Sequence, residues 1–200
     1  VYGDWPDLMI ESVMDENEVK QMNDYAMSKW VNEMQIRNSA EQHGTETVVV
    51  RLFNTYGPGE YYSPYRSVNC RFLYAALTNT PWTVFRGHSR TSTYLADTAR
   101  TLANIIDNFK PGETYNIGGN DLHTIEELSD VIIKVTGASP SLVQYRESEI
   151  LTTRCKKVDI SKSVRDLKHQ NSYGLEEGVC LTAEWMRIVY NLHAMAAAAD

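Results

Sequence analysis

Residues 47–53 form the nearly unbroken apolar stretch TVVVRLF, in which β-branched side chains predominate. Such a run predicts a strand that is buried on both faces, as in a parallel sheet covered by helices. Before it, apolar residues recur at three- and four-residue spacing between Ala26 and Met34, which predicts a helix capped by Asn23 or Asp24 and ended by Gly44. A helix followed by a buried strand is typical of an α/β fold.

The alternation of helices and strands continues through the rest of the chain. Helices are predicted over 67–79, 96–109 and 175–190, and between the capping box at 124–127 and Gly137. On the second of these helices, Ala99, Leu102, Ala103 and Ile106 share one face. Strands are predicted over 82–85, 113–117 and 142–145. The whole chain is therefore predicted to be α/β.

The composition excludes several classes of protein. The 200 residues include 19 Lys and Arg against 26 Asp and Glu, a net charge of -7, and 42% are hydrophobic, which is typical of a globular protein. Without an apolar run of roughly 18 residues or a basic arm, neither a membrane nor a nucleic-acid partner is predicted. Cys70, Cys155 and Cys180 lack a CxxC motif and predict reduced thiols, which fits a cytoplasmic protein. The histidines lack ligand spacing, so no metal site is predicted.

Tyr25 and Lys29 lie four residues apart and therefore share one face of the first helix. A phenol is a poor base because its pKa is near 10, and an ammonium one turn away stabilises the phenolate. Such a pair can remove a proton from an alcohol while a cofactor takes the hydride. With 12 tyrosines in the chain, about half a YxxxK motif is expected by chance. On this spacing alone, a solvated helix face remains the alternative.

Four further blocks, which with the Tyr25–Lys29 helix make five in register, favour the catalytic interpretation of this pair. Val1-Tyr2-Gly3-Asp4 comes first, the Tyr25–Lys29 helix follows, and the other blocks are Arg51–Gly59, Gly87–Tyr94 with Asp97, and Tyr115–Gly119 before a capped helix. In this order they resemble the extended short-chain dehydrogenases/reductases that act on nucleotide sugars, the NAD-dependent epimerases and 4,6-dehydratases. The resemblance extends from Val1 to about Tyr190 and includes the C-terminal helix.

The resemblance implies a role for each matching residue. Tyr25 would transfer the proton, and Lys29 would hold the nicotinamide ribose and tune Tyr25. Asn54, Arg66 and Arg90 would contact the nucleotide diphosphate sugar, with Arg90 binding the diphosphate through charge-assisted hydrogen bonds. Without the resemblance, Arg90 could equally be a surface arginine, and Asn54 would be interpreted as a turn residue. The segment between Gly87 and Arg90 is one residue shorter than the family pattern.

One expected part of such an enzyme is missing from the sequence. A dinucleotide site needs a GxGxxG turn between a strand and a helix, and the 200 residues contain none. Gly57-Pro58-Gly59 and Gly118-Gly119 are interpreted as loops. The resemblance implies that the glycine-rich turn and the catalytic Ser or Thr precede the first block. We therefore expect this chain alone to bind NAD weakly or not at all, and to be inactive without that half.

The expected architecture is the C-terminal part of a Rossmann-like parallel sheet with a small α+β substrate-binding domain. Residues 1–60 would be a remnant of the NAD-binding domain. Residues 61–192 would mainly bind the nucleotide sugar, with 83–110 returning to the Rossmann part, and 193–200 would be a tail.

Two functions remain open from the sequence. The chain is either part of an NAD-dependent epimerase or 4,6-dehydratase, acting through transient oxidation at C4, or a non-catalytic nucleotide-sugar-binding or oligomerising module. The expected partners are a nucleotide diphosphate sugar and either a second copy of the chain or a missing N-terminal half.

Overall fold

The computed structural model describes residues 1–147 and 149–192, so the predicted tail at 193–200 lies outside the described residues. The elements, in chain order, are α1 (Val13–Glu16), α2 (Asp24–His43), β1 (Val49–Leu52), β2 (Thr55–Tyr56), α3 (Val68–Leu77), β3 (Trp82–Phe85), β4 (Ser89–Thr91), β5 (Thr93–Tyr94), α4 (Leu95–Asp107), β6 (Thr114–Ile117), β7 (Leu122–Thr124), α5 (Ile125–Thr136), a short 3₁₀ helix (Pro140–Leu142), β8 (Val143–Arg146), α6 (Ser161–Leu167) and α7 (Leu175–Val189).

The strands form pairs, three of which are parallel. β1 runs parallel to β6, with Val49 opposite Thr114 and Leu52 opposite Ile117. β2 is parallel to β5 and β3 is parallel to β8, whereas β4 and β7 are antiparallel. Parallel pairs need crossover connections, which here contain helices, and the predicted α/β class is confirmed.

Strand β1 is less buried than its apolar sequence suggests. Val49 and Val50 are half-buried and Leu52 is exposed, while the buried residue of the strand is Arg51. The expectation of burial on both faces is therefore wrong for this strand. The reason is its position, because among the described residues only β6 pairs with it.

The main core lies between α3, α5, α7 and β3. Its fully buried side chains include those of Leu73, Val84, Leu128, Ile132 and Met186. A smaller cluster, formed by Tyr2, Met9, Val13 and Phe53, attaches the N-terminal segment to the end of β1. The main core supports the segments that follow β3, and the smaller cluster supports the segment that follows β1.

Local signals in the sequence set the ends of α2. The side chain of Asn23 accepts a hydrogen bond from the backbone N–H of Ala26, and Gly44 ends the helix with φ at 64°. The amide nitrogen of the Asn23 side chain also donates to the carbonyl of Leu151, at 3.0 Å. The N-terminal end of the helix is therefore tied to the segment that follows β8.

The cysteines are free thiols in the structure, with Cys70 buried, Cys155 half-buried and Cys180 exposed. Within the described part of the chain, no helix has the length and apolar character needed to cross a bilayer.

Replacing Ile132 by alanine is expected to lower the free energy of unfolding by about 2–5 kcal/mol, because the change empties a fully buried position in the main core. Ile106→Ala makes the same chemical change on α4 at a side chain that is 82% exposed, and the expected change is within about 0.5 kcal/mol. Urea unfolding of both variants measures the difference. Equal losses at the two positions would contradict this placement of the core.

Candidate active site

Tyr25 and Lys29 lie side by side on the open face of α2. The ammonium of Lys29 is 5.4 Å from the centroid of the Tyr25 ring, and the Tyr25 side chain is 72% exposed. Both line the wall of a cavity of about 890 Å³ between α2, β1 and the loop that precedes α3. A phenol and an ammonium are thus available together to a molecule that enters this cavity.

Asn54 and Arg66 line the same cavity. Asn54 follows β1 with φ at 42°, a left-handed conformation that asparagine tolerates better than most residues. Its side-chain nitrogen donates to the carbonyl of Thr91 at 3.0 Å, which fixes the direction of the amide. Arg66 is exposed, and its Nε donates to the carbonyl of Tyr61 at 3.2 Å. Four of the five predicted site residues are therefore brought together.

Arg90 lies in a second, smaller cavity of about 450 Å³, and Asn54 lines both cavities. The arginine is only 6% exposed, so the alternative of a surface arginine is wrong. Its Nη1 donates to the carbonyls of Ser89 and Arg154, at 2.8 and 2.9 Å. Burial lowers the pKa of Arg90 below its ordinary value. The guanidinium is a desolvated charge held in place by backbone carbonyls.

Two more cations line the cavities, and the sequence analysis did not identify them. Lys156 lines the larger cavity, where burial, together with the charge of Arg90, lowers its pKa to about 8. Arg71, on α3, lines the smaller cavity, and its buried Nε has no hydrogen-bond partner among the described residues. Isolated basic residues carry no motif, so only their position in the fold identifies them.

Glu33, one turn beyond Lys29 on α2, is joined to Arg51 of β1. Arg51 donates from Nε to one carboxylate oxygen of Glu33 at 2.9 Å and from Nη2 to the other at 2.8 Å. Although burial opposes its charge, the Glu33 carboxylate raises the pKa of Arg51 above the ordinary value. The feature of the sequence that points to this ion pair is the arginine inside the apolar run of residues 47–53.

The Gly118-Gly119 pair packs against other parts of the protein. A Cβ on Gly118 would collide with the Val158 side chain, and one on Gly119 would collide with the backbone of Ser92. Close packing explains why glycine occupies these positions, in agreement with their interpretation as loop residues. Across residues 1–147 and 149–192, His, Cys, Asp and Glu side chains form no group of three that could hold a metal ion.

Comparison with known proteins relates the chain to one family by sequence. Residues 1–118 match the model of the NAD dependent epimerase/dehydratase family. A UDP-N-acetyl-alpha-D-glucosaminuronate decarboxylase from Bacillus cytotoxicus is 28% identical over 174 residues, covering 84% of this chain and 54% of the relative. A dTDP-glucose 4,6-dehydratase from Salmonella typhimurium is 29% identical over 170 residues, covering 80% and 46%. The chain spans about half the length of these curated relatives.

Solved structures share the fold. An epimerase from Methanothermobacter thermautotrophicus superposes with a TM-score of 0.85 at 24% identity, covering 95% of this chain and 57% of the other. The UDP-glucuronic acid 4-epimerase from Bacillus cereus, solved with UDP-glucuronic acid and NAD, gives 0.83 at 24% identity, covering 95% and 59%. These likenesses confirm the Rossmann-like α/β fold expected from the sequence.

Replacing Lys156 by methionine is expected to remove part of the pH dependence of stability. In the folded chain the pKa of Lys156 is about 8, against 10.5 for an ordinary lysine. Between these values the unfolded chain binds more protons, so the free energy of unfolding of the unmodified chain rises with pH. Lys156→Met should flatten that rise in urea titrations across the same range. Lys157→Met, at the exposed neighbouring position, is the control and should keep the slope. An unchanged slope in Lys156→Met would contradict the burial of its charge.

Proposed function

The chain belongs to the NAD dependent epimerase/dehydratase family, and on that premise we propose that it is the sugar-binding part of an NAD-dependent enzyme that acts on nucleotide sugars. The observation that supports this most directly is that Tyr25 and Lys29 line a cavity that Asn54 and Arg66 also line. The names of the relatives add a decarboxylase and a dehydratase that act on UDP- and dTDP-linked sugars. An epimerase or a 4,6-dehydratase is the proposed activity of the intact enzyme.

In the proposed reaction, Tyr25 handles the proton. Its phenolate oxygen takes the proton of the sugar C4 hydroxyl as that carbon is oxidised, and the ammonium of Lys29 lies 5.4 Å from the centroid of the ring. NAD, when bound, supplies the hydride-accepting chemistry. The resulting ketone permits either inversion at C4 or loss of water across C5 and C6. Inversion requires the hydride to return to the opposite face of the ketone, and loss of water requires the C5 proton and the C6 hydroxyl to leave; both begin with the C4 hydroxyl beside Tyr25.

The residues fit only one part of the cofactor. Tyr25 and Lys29 are exposed toward a cavity large enough for a ribose and a sugar, and they would hold the nicotinamide ribose. The pyrophosphate needs a glycine-rich turn at a helix N-terminus, which these 200 residues do not contain. We therefore expect weak or absent NAD binding, and no turnover, by the chain alone.

The diphosphate is assigned to the smaller cavity. Two hydrogen bonds from Nη1 fix the Arg90 guanidinium at the wall of this cavity. Arg71 lines the same cavity, and Lys156, in the wall of the larger cavity, is close enough to Arg90 for their charges to interact. Partly desolvated cations bind phosphate oxygens more strongly than exposed ones, because their charges are less screened by water.

A non-catalytic module that binds sugar nucleotides and self-associates is the second candidate function. The absence of a GxGxxG turn from the sequence favours it, as does a stripe of exposed apolar side chains along α2, formed by Met27, Trp30, Val31 and Met34. Such a stripe on a helix is a favourable surface for pairing with a second copy. The free thiols support a cytoplasmic location for either function.

The proposed function is tested by calorimetry of the purified chain with UDP-glucose and dTDP-glucose. Binding of at least one is expected, and Arg90→Met should weaken it about 10- to 100-fold, because charge-assisted hydrogen bonds to the diphosphate are lost. Arg86→Met is the control, since Arg86 is exposed and its only ion pair in the described chain, with Glu147, is 3.9 Å long. Binding that Arg90→Met leaves unchanged would contradict the diphosphate assignment.

Tyr25→Phe separates the two candidate functions when sugar-nucleotide binding and turnover are both measured. The variant should bind the sugar nucleotide nearly as well as the unmodified chain, because only one hydroxyl is removed. When the nucleotide-binding half and NAD are supplied, the unmodified chain should turn over and the variant should not. Activity that survives Tyr25→Phe would exclude Tyr25 as the proton-transfer residue.

Native mass spectrometry tests the self-association of the 22.8 kDa chain. A homo-oligomer without NAD is expected, and Met27→Glu with Met34→Glu should convert it to a monomer by placing charges in the apolar stripe of α2. Ile150→Glu introduces a charge at a more exposed apolar position outside α2 and should leave the oligomer intact. A monomer before any substitution, or a second polypeptide that retains NAD, would contradict the expectation.

A further inference from the structure

Helix α2 is attached to the rest of the chain in an unusual way. Of its 20 residues, only Glu33 is buried, and four others are half-buried. An ordinary surface helix is held by a wide apolar stripe. Here the apolar stripe of α2 is exposed, and the side chain that enters the protein is a carboxylate. The attachment of α2 therefore depends on the partner of that carboxylate.

The partner, Arg51, is itself held from several directions. Its Nη1 donates to the Tyr2 hydroxyl at 2.7 Å and to the carbonyl of Glu11 at 2.9 Å. The Tyr2 hydroxyl donates in turn to the side-chain oxygen of Asn116 on β6, at 2.7 Å. Burial raises the pKa of Tyr2 to about 12, so the phenol keeps the proton it donates. Asn116 also donates to the carbonyl of Met9 at 3.0 Å. The guanidinium thus has one orientation.

The geometry transmits this orientation to the candidate active site. Tyr25, Lys29 and Glu33 succeed one another at intervals of four residues, so they lie along one face of α2. A rotation of the helix about its axis, or a slide along it, would move all three side chains together. In the part of the chain that the structure describes, Glu33 is the buried side chain of α2, and its pairing with Arg51 resists both motions.

We propose that Glu33 and Arg51 are positioning residues, whose bidentate ion pair sets the rotation and depth of α2 and so places Tyr25 and Lys29 at the cavity. This inference rests on the proposed function for its consequence in catalysis, and on the packing of α2 for its physical content. Removing one member of a buried ion pair leaves the other charge without compensation, which is strongly destabilising. The destabilisation should appear first in α2, because no other residue of this helix is buried.

Hydrogen exchange tests the attachment of α2 directly. In Glu33→Gln, amides of residues 24–43 should exchange on the order of 100-fold faster, while those of α5 in the main core change little. Arg37→Gln is the matched control, because it removes an exposed ion pair of the same helix, between Arg37 and Asp15. It should leave exchange close to that of the unmodified chain. Equal acceleration in α2 and α5 would overturn the proposal.

Glu33→Asp keeps the charge but shortens the side chain, and it decides the question if Glu33→Gln does not fold. Its exchange in α2 should lie between those of the unmodified chain and Glu33→Gln, because one of the two hydrogen bonds can still form. Exchange in α2 that is indistinguishable from the unmodified chain would mean that the bidentate geometry does not position the helix.

Ligand binding supplies a measurement that a general loss of stability would not produce. α2 lines the larger cavity but contributes no residue to the smaller one. Glu33→Gln should therefore weaken UDP-glucose or dTDP-glucose binding about tenfold and leave UDP or dTDP binding unchanged. Glu33→Asp should restore part of the difference. Equal weakening of the sugar nucleotide and the free nucleotide would overturn the positioning role.

The two proposals fail in different ways. If the unmodified chain binds none of the four nucleotides, the proposed function is wrong, and the exchange experiment still decides the role of the ion pair. If the nucleotides bind but Glu33→Gln changes neither exchange nor the preference for the sugar nucleotide, the positioning role is wrong and the proposed function stands.

Discussion

The ion pair between Arg51 and Glu33 joins the strand that leads to Asn54 with the helix that carries Tyr25 and Lys29. Both side chains are removed from water, so each charge depends on the other for compensation. The bidentate contact and the bonds to Tyr2 and Glu11 occupy the guanidinium on every side. An apolar contact would tolerate a change of angle. This contact resists both the rotation of α2 about its axis and a slide of α2 along that axis.

The two cavities are lined by several cationic side chains although the net charge of the chain is negative. The chain carries a net charge of -7, yet the side chains that face the cavities include Lys29, Arg66, Arg71, Arg90 and Lys156. Two acidic side chains, Glu33 and Glu149, also line the cavities, and Glu33 is paired with Arg51. An anion therefore meets a locally positive surface, since local charge at short range outweighs a distant net charge in salt.

Local features of the structure could be predicted from the sequence because they depend on neighbours in the chain. The Gly44 end of α2 and the capping box at Thr124 are such features. Burial could not be predicted in the same way. On α4 the apolar face with Leu102 and Ile106 is exposed, while Asp97 is buried because its carboxylate accepts from the backbone of Ser172 and Tyr173, 75 and 76 residues away. The same holds for Arg51, whose partners are Glu33, Tyr2 and Glu11, 18, 49 and 40 residues away. Distant partners decide which polar side chains can leave water.

Helix α2 can tilt about Glu33, its buried residue. Its N-terminal end lies about 15 Å from Glu33 along the axis, at the rise of an α-helix. That end is tied by the single bond from Asn23 to the carbonyl of Leu151, whose segment continues to Lys156 in the cavity wall. A tilt of α2 by about 5° about Glu33 would move the N-terminal end of the helix by about 1 Å. A displacement of the segment after β8 would therefore reach the Tyr25 phenol at the wall of the larger cavity.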